Sequence, residues 1–125
     1  MSKAQFLAEN LKDGEIYSGL ILGKDGEPDH HLVLLPAKPE KALNWSDAVA
    51  WAKSVGGDLP TRSEQALLLA NNKEHFEGAW YWSNTQGAHY TDFAWMQGFD
   101  YGDQGSNHKS DECRARAVRR LLIIE

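Results

Sequence analysis

The stretch Gly56-Gly57-Asp58-Leu59-Pro60-Thr61-Arg62-Ser63-Glu64-Gln65 predicts the end of one helix and the start of the next. Glycine adopts positive φ without steric cost, so Gly56-Gly57 suits the C-terminus of the first helix. Pro60 restricts the residue before it to an extended conformation, which separates the two helices. Thr61 and Glu64 have the spacing of a capping box, in which each side chain accepts from the other residue's backbone N–H. We therefore assign Thr61 and Glu64 a structural role.

Hydrophobic patterns on either side of this stretch predict two main helices and five strands. One helix begins after Asn44, whose side chain can cap it, and the other runs from Arg62 to Asn71. Residues 1–13 form a short helix or an ordered arm. The strands are predicted over Ile16–Leu22, His31–Leu35, Trp80–Asn84, Phe93–Phe99 and Arg116–Ile124, with Asp25-Gly26 as a hairpin turn and Asp100–Glu112 as the longest loop. Two helices followed by strands that pair with an early hairpin predict an α+β fold with a mainly antiparallel sheet.

Length, charge and composition restrict the class of protein. A chain of 125 residues corresponds to about one domain, so we predict a single domain over residues 1–125. The net charge of −5 disfavours nucleic acid as a partner, because nucleic-acid binding uses clustered Lys and Arg. The lone Cys113 excludes an internal disulfide. No apolar run approaches the ~20 residues of a membrane span, and the N-terminus lacks the apolar run of a signal peptide. We expect a cytoplasmic protein without membrane insertion.

The order of several motifs resembles a known family. A Trp- and Ala-rich helix is followed by the Gly56–Gln65 stretch, and then by Tyr81-Trp82-Ser83, Ala94-Trp95-Met96-Gln97-Gly98-Phe99 and Arg116-Ala117-Val118-Arg119-Arg120. This order resembles phage and bacterial C-type-lectin-like domains of unknown function, which are related to the C-terminal domain of a collagen-like adhesin. The resemblance covers about residues 40–122. It implies a C-type-lectin-like fold with two helices packed on a small twisted antiparallel sheet, long irregular loops on one side, and a phage or prophage origin.

Aromatic and amide side chains in the late strands and loops suggest a ligand-binding surface, and the alternative is that these aromatic residues belong to the core with incidental exposure. Aromatic rings beside amide and carboxylate groups suit sugars and peptide surfaces. The resemblance points the same way, because phage receptor-binding proteins that contact host surfaces share the C-type-lectin-like fold. We therefore expect the partner to be a protein or glycan surface. The residues that we expect to bind it are Trp82, Tyr90, Trp95, Gln97, Tyr101 and Asn107.

A site for calcium or another metal is a weaker alternative to a metal-free binding surface. The residues that place oxygen ligands in one loop, as a Ca²⁺ site requires, are Asp100, Asp103, Asn107, Asp111 and Glu112. Their spacing does not match an EF-hand loop, and the Glu-Pro-Asn and Trp-Asn-Asp motifs of calcium-dependent lectins are missing. The adjacent His30 and His31 point to opposite faces of a strand, and we expect His31 to line the sheet with His30 outside it. We therefore expect no metal and no cofactor.

Cys113 is the candidate for catalysis. The nearby Arg114 and Arg116 could lower the pKa of its thiol. Formylglycine-generating enzymes share the C-type-lectin-like fold and carry a Leu-Pro-Thr-x-x-Glu stretch similar to residues 59–64. Those enzymes use a pair of cysteines for copper-dependent oxidation, whereas this chain has one. We therefore expect no catalytic residue and a partly exposed, unreactive Cys113.

The arginine-rich final strand predicts an internal ion pair. Alternate residues of a strand point to opposite faces, so Arg116 and Arg120 lie on one face and Arg119 on the other. Because each face carries an arginine, one guanidinium is expected to point inward. A buried guanidinium needs a carboxylate, for which Glu64 is the first candidate and Asp58 the second. An anion or nucleic-acid patch is the alternative. We assign Arg119 and Arg120 a structural role.

Together these features predict a non-catalytic binding module. A phage protein of this kind would be made in the host cytoplasm and could then join a virion. Two alternatives stay open. One is a structural component of a phage tail or fibre that acts as a homo-oligomer or within a phage assembly. The other is a degenerate relative of the formylglycine-generating oxidases, which would need copper and Cys113.

Overall fold

The structure is a computed structural model that describes residues 2–123. The helices are α1 (Lys3–Asn10), α2 (Trp45–Ser54) and α3 (Arg62–Asn72), with a 3₁₀ turn over Lys73–His75. The strands are β1 (Ile16–Ile21), β2 (His30–Leu34), β3 (Trp80–Gln86), β4 (Phe93–Gly98), β5 (Gln104–His108) and β6 (Val118–Leu122). The expected α+β class is confirmed. The short N-terminal helix forms, and the predicted end of the last strand, Ile124, lies outside the described residues.

The strands form two separate three-stranded antiparallel sheets instead of one. Their orders are β1-β2-β6 and β3-β4-β5, so the early hairpin pairs with the final strand and with none of the middle strands. The prediction of a long irregular loop over Asp100–Glu112 is wrong for Gln104–His108, which pairs with β4 as an edge strand. This strand is Gln-Gly-Ser-Asn-His, so it lacks the β-branched and apolar residues that mark strands in a sequence. The segment is a strand because its backbone pairs with β4 in an antiparallel ladder.

Local signals fix the ends of α2 and α3 as predicted. The side chain of Asn44 accepts from the backbone N–H of Asp47 and caps α2. Gly56 follows α2 with φ of 88°, in the left-handed region that favours glycine. Thr61 and Glu64 form the reciprocal capping box at the start of α3. The two helices are therefore joined by a turn in which Gly56, Gly57 and Asp58 all donate backbone hydrogen bonds.

The buried face of α3 is not the one that the apolar residues Ala66, Leu67, Leu69 and Ala70 predict. Ala66 and Ala70 are exposed, whereas Gln65 and Leu68 are buried. Leu68 belongs to an apolar cluster that α3 shares with β2, β6 and the end of β4. The Gln65 amide donates to two carbonyl oxygens of β3, each at 3.1 Å, and this polar contact requires its burial. A polar residue therefore occupies a position that hydrophobic periodicity assigns to solvent.

The buried carboxylate of Glu64 joins three elements. Arg120 of β6 donates through Nε to Oε2 at 2.7 Å and through Nη2 to Oε1 at 2.8 Å. The backbone N–H of Thr61 donates to Oε1 at 2.8 Å, and His30 Nε2 of β2 lies 2.7 Å from Oε2. The Glu64 side chain is 1% exposed. Arg120 also donates to Asp58 at 2.9 Å, so both predicted partners of the inward arginine are confirmed.

Arg119 and the two histidines complete the β1-β2-β6 sheet in ways that the sequence predicted only in part. Arg119 forms a two-point ion pair with Glu15, at 2.9 and 2.7 Å, because it lies on the opposite face from Arg120. The predicted placement of His30 outside the sheet is wrong, whereas His31 lines a covered face of the sheet as expected. His30 faces Glu64 and the start of α3, whereas His31 packs 4.4 Å from the ring of Phe6 in α1. Helix α1 thus covers the face of the sheet that carries His31.

Removing the partner of a buried carboxylate should destabilise the protein strongly. We predict that Arg120→Met lowers the free energy of unfolding by about 3–5 kcal/mol, because it leaves Glu64 buried without its counter-ion. Lys53→Met is the matched control. Lys53 also pairs with a carboxylate, that of Asp58, but its side chain is 67% exposed, and we expect a loss within about 1 kcal/mol. Urea denaturation of both variants measures the difference, and equal losses would contradict the role of Glu64.

The same carboxylates should make the protein sensitive to acid. Burial alone would raise the pKa of Glu64, but the hydrogen bonds and charge of Arg120 and the N–H of Thr61 outweigh it and hold the pKa below its ordinary value of 4.5. The hydrogen bond from Arg119 lowers the pKa of Glu15 in the same way. The native state therefore binds fewer protons than the unfolded chain as pH falls, so the stabilisation is present above about pH 4.5 and is lost below it.

We therefore predict that the free energy of unfolding falls steadily between pH 5 and pH 3, values chosen to bracket the ordinary carboxyl pKa of about 4. The Glu15→Gln variant should show a shallower slope, because one of the depressed groups is absent. Denaturation curves at a series of pH values measure the slope. A wild-type stability that stays constant across this range would show that these carboxylates do not hold the native state.

Candidate functional site

The β3-β4-β5 sheet has helices on both faces, and this arrangement decides which of its side chains are accessible. Trp82 and Ala94 face α2 and pack with Ala48 in one core cluster. The other face carries Trp95 and lies under the N-terminal part of α3, where the Arg62 guanidinium stands 3.5 Å from the centre of the Trp95 ring. The sheet therefore has little free surface near its centre.

Two of the predicted ligand residues are buried, and their expected role is corrected. Trp82 is 0% exposed, and its indole N–H donates to the Leu43 carbonyl oxygen at 2.8 Å. Gln97 is also buried, and its amide binds the carbonyl oxygens of Gly98 and Asp103 and the side chain of Gln104. Helices cover both faces of this part of the sheet, so the alternation of side chains leaves neither face open.

The remaining predicted ligand residues do not form one surface. Asn107 is half-buried, with its amide nitrogen 3.9 Å from the Cys113 sulfur. Tyr90 and Tyr101 are 70% and 92% exposed. Tyr90 precedes the first residue of β4, and Tyr101 follows the last one, so the two rings lie at opposite ends of the sheet. The structure thus places Tyr90 beside Phe93, on the strand that carries Trp95, and puts Tyr101 at the opposite end of that strand.

A row of rings continues from Trp95 toward the open end of the sheet. We call the surface formed by Arg62, Tyr90, Phe93, Trp95 and His108 the aromatic face. Trp95 and Phe93 lie two residues apart in β4 and so point to the same side. His108 is paired with Phe93 across the strands, and their ring centres are 4.2 Å apart. The ring of Tyr90 stands 5.9 Å from Phe93, at the exposed edge.

Arg62 and His108 are members of the aromatic face that the sequence did not reveal. His108 lies in the segment interpreted as a loop, so its pairing with Phe93 could not be anticipated. Arg62 is the first residue of α3, and the Thr61 cap fixes its position. Its Nε donates to Gln104 at 3.0 Å, and the Gln104 amide donates back to the Arg62 carbonyl oxygen at 2.9 Å. The guanidinium is held flat over Trp95 by these contacts.

A separate cleft of about 560 Å³ lies between the connection after β2, the 3₁₀ turn and the segment before β6. We call it the arginine cleft, because Arg116 lines it. Arg116 is buried and donates to the carbonyl oxygens of His75 and Leu35, at 2.7 and 2.9 Å. Burial lowers the pKa of Arg116 below its ordinary value. The expectation that a buried guanidinium pairs with a carboxylate thus holds for Arg120 but, within residues 2–123, not for Arg116.

Cys113 is buried, which corrects the expected partial exposure. Its sulfur lies 3.8 Å from the Met96 sulfur, within the core cluster under α2. Burial raises the pKa of the Cys113 thiol. The neighbouring Arg114 cannot offset this, since its exposed guanidinium pairs with Glu77 instead. The arrangement is that of a packed core thiol and does not favour a thiolate nucleophile.

The acidic residues considered for calcium are divided by β5. Asp100 and Asp103 precede the strand, and Asp111 and Glu112 follow it. Asp100 accepts from the backbone N–H of Tyr101 at 2.8 Å, in the turn between β4 and β5. Over residues 2–123, no group of three or more His, Cys, Asp and Glu side chains is arranged to hold a metal ion.

Comparison with other proteins assigns neither a family nor a function to this chain. No protein-family model matches this chain, and no curated protein sequence is significantly similar to it. Within the described residues, each helix is too short or too polar to cross a membrane. The function of this chain therefore has to be inferred from its own residues.

The environment of Cys113 predicts slow chemistry in the folded protein. We expect a thiol reagent such as 5,5′-dithiobis(2-nitrobenzoate) to react with the native protein much more slowly than with the protein in denaturant, because the thiolate is disfavoured and access is blocked. Absorbance of the released thiol follows the reaction. Native labelling as fast as that of the unfolded chain would contradict the buried, unreactive cysteine.

Proposed function

We propose that this chain is a non-catalytic binding module that recognises a protein or glycan surface through its aromatic face. The observation that carries the proposal is the Arg62 guanidinium stacked on Trp95 at 3.5 Å, continued by the row of Phe93, His108 and Tyr90. Rings of this kind offer apolar contact area, and the guanidinium offers hydrogen-bond donors beside it. Both sugars and protein surfaces are bound by such combinations.

Rigidity favours the aromatic face as a binding surface. Phe93, Trp95 and His108 stand on paired strands, and Arg62 is fixed by the first turn of α3 and by Gln104. Side chains that are held in place before binding lose little conformational entropy when a partner arrives. Tyr90, in the loop before β4, is the exposed and adaptable member. The face thus combines a fixed platform with one free ring.

A C-type-lectin-like fold is part of the proposal. The motifs that carry the resemblance fall on consecutive parts of the structure, from α2 through the Gly56–Gln65 turn and α3 to β3, β4 and β6. Strands β1, β2 and β6 form one sheet, and β3, β4 and β5 with their loops form the other. This division leaves the second sheet free to vary as a recognition surface. A phage or prophage origin, with assembly into a virion, fits a module of this kind.

The environment of the ionisable groups supports binding without catalysis. Glu64, Glu15 and Asp58 have lowered pKa values because each pairs with an arginine or lysine that stabilises the fold. Such shifts mark structural ion pairs as well as active sites. The raised pKa of Cys113 opposes its use as a nucleophile, which disfavours the oxidase alternative.

A structural role through self-association is the second candidate. The observation that favours it is the exposure of Leu20, Leu22 and Leu122 near one end of the β1-β2-β6 sheet, with Leu20 on one edge strand and Leu122 on the other. Exposed apolar side chains on edge strands favour association between sheet edges. Light scattering distinguishes the candidates, since a monomer at micromolar concentration contradicts self-association through these leucines.

We predict that Tyr90→Ala and His108→Ala reduce binding to a captured ligand by about tenfold or more, because aromatic residues are enriched among the interface residues whose truncation costs over 1 kcal/mol. Tyr101→Ala is the matched control, since it removes an even more exposed tyrosine from the opposite end of the sheet. The ligand would come from a glycan array or from a pull-down of lysogenic cells, and surface plasmon resonance would measure each variant. Loss of binding in Tyr101→Ala, with Tyr90→Ala unaffected, would overturn the assignment of the aromatic face.

A further inference from the structure

Arg116 is the exception among the arginines at the end of the chain. Arg119 and Arg120 each hold a carboxylate with two hydrogen bonds, to Glu15 and Glu64. Arg116 is 5% exposed, yet its ion-pair partner is missing from residues 2–123. Its two hydrogen bonds go to backbone carbonyl oxygens, and across the described part of the chain its buried Nε has no hydrogen-bond partner.

A buried cation of this kind is incomplete on electrostatic grounds. A guanidinium carries more N–H donors than two hydrogen bonds use, and a charge removed from water is stabilised chiefly by an opposite charge. Carbonyl dipoles and the Phe76 ring, whose centre lies 5.3 Å from the guanidinium carbon, supply part of that stabilisation. Burial still lowers the pKa of Arg116, so the carbonyl groups and the ring do not fully offset the cost of removing its charge from water.

The arginine cleft gives an anion a place beside Arg116. Its volume of about 560 Å³ lies within the range of small-molecule sites, which is about 300–1,000 Å³. Phe76, Tyr81 and Ile16 supply apolar wall, and Lys38 and Lys41 stand on the rim. Arg114 also lines the cleft, but Glu77 already neutralises it. The rim lysines and Arg116 are therefore the cations that a ligand would meet.

We propose that the arginine cleft binds a small organic carboxylate, with the carboxylate at Arg116 and the apolar body against Phe76 and Tyr81. A planar carboxylate matches the geometry of a guanidinium and carries a single negative charge. Glu40 and Glu74 also line the cleft, and they repel a doubly charged phosphate more strongly than a carboxylate. This site is separate from the aromatic face, because the two surfaces have no residue in common.

Sodium benzoate is a suitable probe, with benzamide as its uncharged counterpart of the same shape. Titration into the ¹⁵N-labelled protein at constant ionic strength should produce saturable amide shifts at Ile16, Phe76 and Ala115 with benzoate and none with benzamide. Inorganic phosphate should bind more weakly than benzoate. Equal responses to benzoate and benzamide, stronger binding of phosphate, or the lack of a saturable benzoate response would each overturn the proposal.

Variants of the rim test the site without disturbing Arg116. The double variant Lys38→Glu, Lys41→Glu should weaken benzoate binding by about threefold or more, as expected for the loss and reversal of nearby exposed charges. Lys24→Glu, in the β1–β2 hairpin turn away from the cleft, is the control for a general change of charge and should leave binding unaltered. Equal weakening by Lys24→Glu would show non-specific attraction and would overturn the site.

Arg116→Met tests the guanidinium itself, with circular dichroism to establish that the variant folds. A folded variant should lose benzoate binding, and retained binding would contradict the proposal. If the variant does not fold, the benzoate titrations of the wild type and of the rim variants still test whether the cleft binds a carboxylate. Tyr90→Ala, on the aromatic face, should bind benzoate as wild type does, which keeps the test of this site independent of the proposed function.

Discussion

The structure depends on a single buried carboxylate, that of Glu64. It accepts from the backbone at the start of α3, holds Arg120 of β6 by two hydrogen bonds, and contacts His30 of β2. A charge in this position is stabilising only while all of its partners are present, because an unpaired buried carboxylate is costly. The helix pair and the β1-β2-β6 sheet therefore form together. A loss at one partner is transmitted to the others.

The turn between the helices is fixed at its other end by backbone contact with β6. Asp58 and Val118 exchange two hydrogen bonds, at 2.9 and 2.8 Å, and the backbones approach so closely that a side chain at Gly57 would collide with the Val118 carbonyl oxygen. The same turn sets the candidate site. Because Thr61 caps α3, it fixes the position of the next residue, Arg62, whose guanidinium lies over the Trp95 ring. The constraint that stabilises the fold thus also positions the aromatic face.

Local signals in the sequence predicted local structure well. The Asn44 cap and the Thr61 capping box follow from short spacing. Strand alternation and the need of a buried charge for its opposite predicted that one inward arginine pairs with Glu64, and that arginine is Arg120. The two-sheet arrangement and β5 could not be predicted in this way. They depend on which strand edges meet across the whole chain, and Gln104–His108 has no strand pattern of its own.

The candidate site was only partly predictable for the same reason. An aromatic residue in a strand can face a helix or solvent, and periodicity alone cannot decide between them. Trp82 is therefore buried although its sequence context predicts a ligand-binding position, and no sequence pattern links Arg62 to Trp95. That Arg116 lacks a counter-ion within residues 2–123 is likewise a property of the folded chain, because strand alternation alone gives a buried arginine no particular partner. Burial on both faces of a sheet is a property of the assembled fold.

Native-state hydrogen exchange tests most directly whether Glu64 and the turn unite the molecule. The amides of Asp58 and Val118 connect the turn to β6, and the amide of Trp82, which donates to Arg114 at 3.0 Å, reports on the core. If they belong to one cooperative unit, all of them should exchange only through global unfolding, with the same opening free energy. If Asp58 and Val118 open with a much lower free energy than Trp82, the turn separates from β6 while the core stays folded, and the account is contradicted.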